Sequence, residues 1–122
     1  MNLSRFLALP AAGVIALAIA PNASAAGAAR PLPCHASMSN ATPADYTTTT
    51  VRVRTGDHAR VVTVAHYKTV NHKKVRHANG HGRARIPYYI SGATPGYTVQ
   101  VTVTVTRGHR SGSCSTSFTP HA

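Results

Sequence analysis

His72, His77 and His81 interleave with Lys73, Lys74 and Arg76 in the stretch NHKKVRHANGHGRAR at 71–85, which then adds Arg83 and Arg85. His66 lies just upstream. Two chemistries are open to such a stretch. Neutral imidazoles bind Zn²⁺ or Cu²⁺, and three converging rings suffice. Against a metal centre, the interleaved Lys73, Lys74 and Arg76 repel a cation, and no carboxylate lies nearby to orient a ring. The second chemistry is anion binding, in which arginine forks and lysine point charges suit phosphate or carboxylate groups. A third reading assigns no chemistry: a solvated basic connection whose charges keep strand edges from aggregating.

The whole chain favours the anion. It carries 13 Lys and Arg against two acids, Asp45 and Asp57, for a formal charge of +11. A surface of this sign attracts polyanions: cell-wall polymers, acidic glycans, or nucleic acid without sequence preference. Sequence-specific nucleic-acid reading is not expected, since no reading motif is present. Catalysis is not expected either. Two isolated aspartates offer poor material for a carboxylate pair, and no G-x-S-x-G elbow is present. No cofactor is implied. The alternatives from other classes are a His-rich metal-binding extracellular protein and a small secreted hydrolase.

The N-terminus indicates export. Arg5 precedes the apolar run LALPAAGVIALAIA and an ASA site at 23–25. That is the plan of a signal peptide at 1–25, cleaved after Ala25. Pro10 and Pro21 bracket too few apolar residues to span about 30 Å of hydrocarbon as a helix, so no stable membrane anchor is expected after processing. Removal of the leader takes away only Arg5 and leaves a charge of about +10. Residues 26–33 then read as a flexible lead. The oligomeric state is not legible.

Cys34 and Cys114 lie near the two ends of the expected domain. In an oxidising compartment two cysteines allow a single intramolecular pairing. Closing a loop of that length stabilises by roughly 4–5 kcal/mol in the chain-entropy account.

Positioning these residues falls to strands. In GYTVQVTVTVTRG, Tyr97, Val99, Val101, Val103 and Val105 fall on one face and the threonines with Gln100 on the other. Alternation of β-branched residues at period two makes a half-buried strand. TTTTVRVR places Val51 and Val53 opposite Arg52 and Arg54. RARIPYYI places Ala84, Ile86, Tyr88 and Ile90 opposite Arg83, Arg85, Pro87 and Tyr89. CSTSF puts Cys114, Thr116 and Phe118 together, and CHASMS is a short first strand. ARVVTVAHYKT is a strand whose facing stays open, because both parities carry valine. KVRH reads as a further short strand, with ANGHG as a hairpin turn in which Asn79-Gly80 supplies positive φ. Gly, Pro and Asn clusters punctuate these runs, which indicates an all-β sandwich or barrel.

The run ANGHGRARIPYYISGATPGYTVQVTVTV resembles the later half of bacterial immunoglobulin-like domains, through Gly82, Ala84, Ile86, Pro95, Gly96 and Tyr97. The CHASMS start and the GSCSTSFTP end also resemble small secreted bacterial proteins of uncharacterised function. The resemblance implies an immunoglobulin-like sandwich of about seven antiparallel strands at 34–120, after an N-terminal signal helix. It implies a scaffold for binding or display and no catalytic residues. Antibody-type domains differ, because here the cysteines would tie first and last strands and tryptophan is absent. In such sandwiches the strand bearing Arg52 and Arg54 lies beside the one bearing Arg83 and Arg85, so four guanidiniums are expected on one sheet face. Lys73, Lys74 and Arg76 would join a broader anion-attracting surface from a mobile basic hairpin loop.

Overall fold

The computed structural model describes residues 30–122. The expected leader and its cleavage site lie outside them. Seven strands follow in chain order: β1 His35–Met38, β2 Thr48–Arg54, β3 Arg60–His66, β4 Asn71–His77, β5 Arg83–Tyr89, β6 Val99–Arg107 and β7 Arg110–Phe118. No helix occurs among the described residues. All pairings between these strands are antiparallel. They build one sheet of order β1-β2-β5 and a second of order β4-β3-β6-β7.

Period-two alternation explains why two sheets form and what lies between them. Val99, Val101, Val103 and Val105 of β6 are all buried, and the residues between them are exposed or half-buried. Val51 and Val53 of β2 and Ala84, Ile86 and Tyr88 of β5 close the core from the other sheet. Burying each Val or Ile side chain is worth roughly 1.5–3 kcal/mol. A one-residue register slip would turn every such row to solvent, so the pattern also specifies the pairing.

The facing of β3, open in the sequence, is settled by its partner across the core. Val61, Thr63 and Ala65 are buried, and Val62 and Val64 are turned outward. Tyr88 enters from the opposite sheet, and its hydroxyl meets Thr63 Oγ1 at 2.6 Å. A valine at that point would leave the Tyr88 hydroxyl without its closest partner in a dry core. Burial, opposed by the Thr63 hydrogen bond and by Arg76, holds the Tyr88 phenol above its ordinary range. A pKa raised on folding contributes stability below the unfolded value near 10, which is lost as pH climbs through the folded value. Tyr88→Phe should therefore cost about 1–2 kcal/mol at neutral pH and weaken the alkaline fall in stability above pH ~10. Urea titrations at pH 7 and pH 10.5 check both; an unchanged alkaline slope would remove Tyr88 from the account.

Four edge strands are left, and contacts across the sandwich hold them in pairs. Pro87 sits within β5, at the free edge of the first sheet, where no ladder hydrogen bond is lost. Its carbonyl accepts a hydrogen bond from Lys74 Nζ of β4, and the same ammonium lies 4.8 Å from the Tyr88 ring centroid. Lys74 thus closes one open side of the sandwich. On the other side the disulfide Cys34–Cys114, with Cα atoms 5.5 Å apart, ties the residue just before β1 to the middle of β7.

Two segments depart from expectation. Residues 30–33, expected as part of a flexible lead, are docked: Leu32 is 3 % exposed, and its N–H donates to the Ser111 carbonyl at 2.8 Å. An apolar side chain at the mouth of a small core gains more by burial than the chain loses in freedom. The second is the link after β4. Residues 71–77 form a strand of the second sheet, not a mobile loop, and β4 and β5 lie in different sheets, so ANGHG is a crossover and not a hairpin. Asn79 Oδ1 accepts from the N–H groups of His81 and Arg83 at 2.9 and 3.0 Å, and this side-chain turn steers the chain across. Positive φ falls on Gly82, at +75°, and not on Asn79 or Gly80. The Pro95-Gly96 turn behaves as its residues dictate. Tyr97 N–H bonds the Thr94 carbonyl at 3.1 Å, and Gly96 takes φ of 80°, which is the type II pattern.

Candidate anion-binding face

The outer face of the β1-β2-β5 sheet gathers arginines by register. Arg52 lies directly opposite Arg85, and Arg54 directly opposite Arg83. All four are exposed, because their parity alternates with the buried Val51, Val53, Ala84 and Ile86. Successive same-face residues are about 6.6 Å apart along a strand and about 5 Å apart across it, so the four form a compact rectangle. β1 extends both rows. His35 pairs with Arg54, and Ser37 with Arg52. One row thus reads His35, Arg54, Arg83 and the other Ser37, Arg52, Arg85. A shallow depression of about 550 Å³ lies over them, lined by these six side chains and by Ala36, Val53 and Ala84.

The electrostatics of the rectangle are unrelieved from within. The chain has two acidic side chains. Asp57 is bound to Arg107 at 3.0 Å, the single ion pair among the described residues. Asp45 sits before β2, where its N–H bonds the His121 carbonyl. None of the four guanidiniums has a hydrogen-bond partner among the described residues. Like charges directly opposite one another on a sheet are destabilising. In water two charges a few ångströms apart cost only about 1 kcal/mol, so the fold sustains the arrangement. A bound anion converts that repulsion into charge-assisted, fork-shaped hydrogen bonds.

The other basic residues are placed elsewhere. Lys73, Lys74 and Arg76 belong to β4, in the second sheet. Lys73 faces outward opposite Val64, while Lys74 is engaged with Pro87 and Tyr88. Arg76 lies opposite the buried Val61, and its guanidinium donates to the Val75 carbonyl at 2.9 Å. The structure therefore divides the seven basic residues singled out in the sequence into a rectangle of four and an edge group of three.

The histidines do not come together. His66 and His77 stand at opposite ends of the β3–β4 ladder. His66 contacts Thr102 Oγ1 at 3.3 Å, and His72 packs edge-on against Tyr67 with ring centroids 5.0 Å apart. Among the described residues no group of three His, Cys, Asp or Glu side chains is arranged to hold a metal ion.

His35 and Ser37 were not singled out by sequence reasoning. The signal for them was the alternation in CHASMS, which sets His35 and Ser37 against Ala36 and Met38. What it lacked was the neighbour that places them beside arginines. Tyr89, in contrast, stands where its parity puts it: on the arginine face, opposite Thr48 and 57 % exposed. Comparison with family models, with curated proteins and with solved structures finds no match to this chain.

Proposed function

We propose that this protein is an exported, non-catalytic module of immunoglobulin-like architecture that binds anionic polymers through the outer face of β1, β2 and β5. The observation that carries the reading is the direct cross-strand pairing of Arg52 with Arg85 and of Arg54 with Arg83, with neither carboxylate of the chain bonded to them. The architecture is supported by a sheet of order β1-β2-β5 beside one of order β4-β3-β6-β7, joined by a crossover after β4. Export is supported by the N-terminal pattern and by a disulfide that suits an oxidising compartment.

Binding to duplex DNA, used as a polyphosphate probe, should be tight at low salt and fall with a log–log slope near −3.6 if about four phosphates are neutralised. Exchanging Arg52 and Arg85 for serine should flatten that slope by about two units. Lys73→Ser should leave it almost unchanged, since Lys73 stands on the other sheet. The fold should survive both changes, because these positions carry little core packing. A slope that responds to Lys73 and not to the arginine pair would move the site to β4. A slope that responds to neither would reduce the charge to a device for solubility.

A further inference from the structure

The arginine rectangle is one end of a longer surface. Along β5 the same face runs from Arg83 and Arg85 past the exposed Pro87 to Tyr89. Beside Pro87 and Tyr89, β2 presents Thr50 and Thr48. From Arg83 to Tyr89 is six residues, roughly 20 Å of strand. Tyr89 also borders a second depression, of about 360 Å³, between the β3–β4 turn and the loop after β5. Tyr67, Lys68, His72, Ser91 and Thr94 are among its other walls. The Tyr67 ring is held edge-on by His72 on one side and by Phe118, 6.1 Å away, on the other. It is therefore a fixed wall. Burial, with Tyr88 nearby, also pushes the Tyr67 phenol above its ordinary range.

Resting on the polyanion reading above, we propose that the arginine rectangle and the tyrosine cleft are two ends of one extended site for an acidic glycan. The arginines take its carboxylate or sulfate groups. Tyr89 takes the apolar face of a sugar ring farther along the chain, and Lys68, Ser91 and Thr94 meet the hydroxyls at that ring's rim. A sugar ring matches this end because it presents an apolar face and a polar edge together, as the cleft does. A single-stranded nucleic acid matches the surface less well. Its bases stack one after another on aromatic side chains beside the phosphate track, and the arginine rows are flanked by Ser37, Thr50 and Pro87 instead.

The test measures calorimetric affinity of the intact, disulfide-bonded protein for heparin disaccharide and octasaccharide, in the wild type, Tyr89→Ala, Tyr89→Phe and the Arg52→Ser/Arg85→Ser pair. Tyr89→Ala should weaken the octasaccharide by about tenfold, the effect of losing one stacked ring. It should leave the disaccharide, which reaches only the arginines, unchanged. Tyr89→Phe keeps the ring and should restore octasaccharide affinity. The arginine pair should weaken both lengths. If Tyr89→Ala changes neither length while the arginine pair weakens both, the extended site is wrong and the polyanion face stands. If Tyr89→Ala weakens both equally, the ring acts at the arginine end and the two-ended site is wrong. If no oligosaccharide binds while duplex DNA still does, the glycan site is wrong and the polyanion face stands; if the arginine pair changes the affinity for neither, the underlying reading falls as well. A charge-matched single-stranded oligonucleotide that binds as tightly and depends as strongly on Tyr89 would replace the glycan with nucleic acid.

Discussion

Cys114→Ser should lower the unfolding free energy by about 4.5 kcal/mol and the melting temperature by about 20 °C or more. The cysteines are 80 positions apart. Cross-linking so long a loop removes much of the freedom of the unfolded chain, between the roughly 3 kcal/mol of a 15-residue loop and the roughly 4.7 of a 100-residue one. The core that remains is built mainly from valine, alanine and isoleucine with a single buried phenylalanine. A domain with total stability of about 5–15 kcal/mol loses a large fraction of it with such a staple. The bridge also holds β1, the shortest strand and an edge, against β7. β1 contributes His35 and Ser37 to the arginine face, so the reduced protein should lose definition there first. Reducing the wild type should reproduce the shift of the serine variant, and adding Cys34→Ser to Cys114→Ser should change little more. Two alkylatable thiols in the native protein, or melting curves that coincide for wild type and Cys114→Ser, would contradict this.

Gly82→Ala is expected to cost about 3 kcal/mol or more, well beyond the usual penalty for alanine at positive φ, which is roughly 1–2 kcal/mol. Gly82 has φ of +75°, and a Cβ there would collide with the carbonyl oxygen of Thr55. The obstacle is backbone, which cannot rotate aside as a side chain can. The contact is also a joint: the Thr55 N–H donates to the Gly82 carbonyl at 2.7 Å. Thr55 follows Arg54, and Gly82 precedes Arg83, so this hydrogen bond pins the open end of the arginine rectangle. Gly108 provides the control. It has φ of +60° with open space around it, so Gly108→Ala should show the conformational penalty alone. The difference in urea midpoint between the two variants isolates the collision. Gly82→Ala should also weaken polyanion binding, whereas Gly108→Ala, in the β6–β7 turn, should not. Equal destabilisation by the two would show that the Thr55 contact relaxes freely.

The all-β class of fold and the cysteine pairing were legible in the residues, each for a local reason. Period-two alternation is a property of the chain itself, so the facing of β2, β5 and β6 and the outward parity of all four arginines could be read without partners. Two cysteines admit one pairing. Pro95-Gly96 builds its turn from intrinsic φ preferences. Wherever two parities or two partners competed, the local signal ran out. β3 carries valine on both faces, and only Tyr88, arriving from the other sheet with a hydroxyl to satisfy, selects Thr63 as the buried position. Lys74 and Arg52 are equally basic in the sequence. Lys74 is taken up by the Pro87 carbonyl and the Tyr88 ring, while Arg52 stays free on an open face, because sheet membership separates them. The crossover after β4 looked like a hairpin because Asn79-Gly80 suits one. Its true path follows from the Asn79 side chain and from the Thr55–Gly82 contact between residues far apart in the chain. Residue order thus set which positions alternate and how much charge the chain carries. Which of those charges stand opposite one another followed only once the strands were assembled, because alternation fixes the parity of each strand, whereas its neighbour and the residue it pairs with are chosen by packing of the core between the sheets.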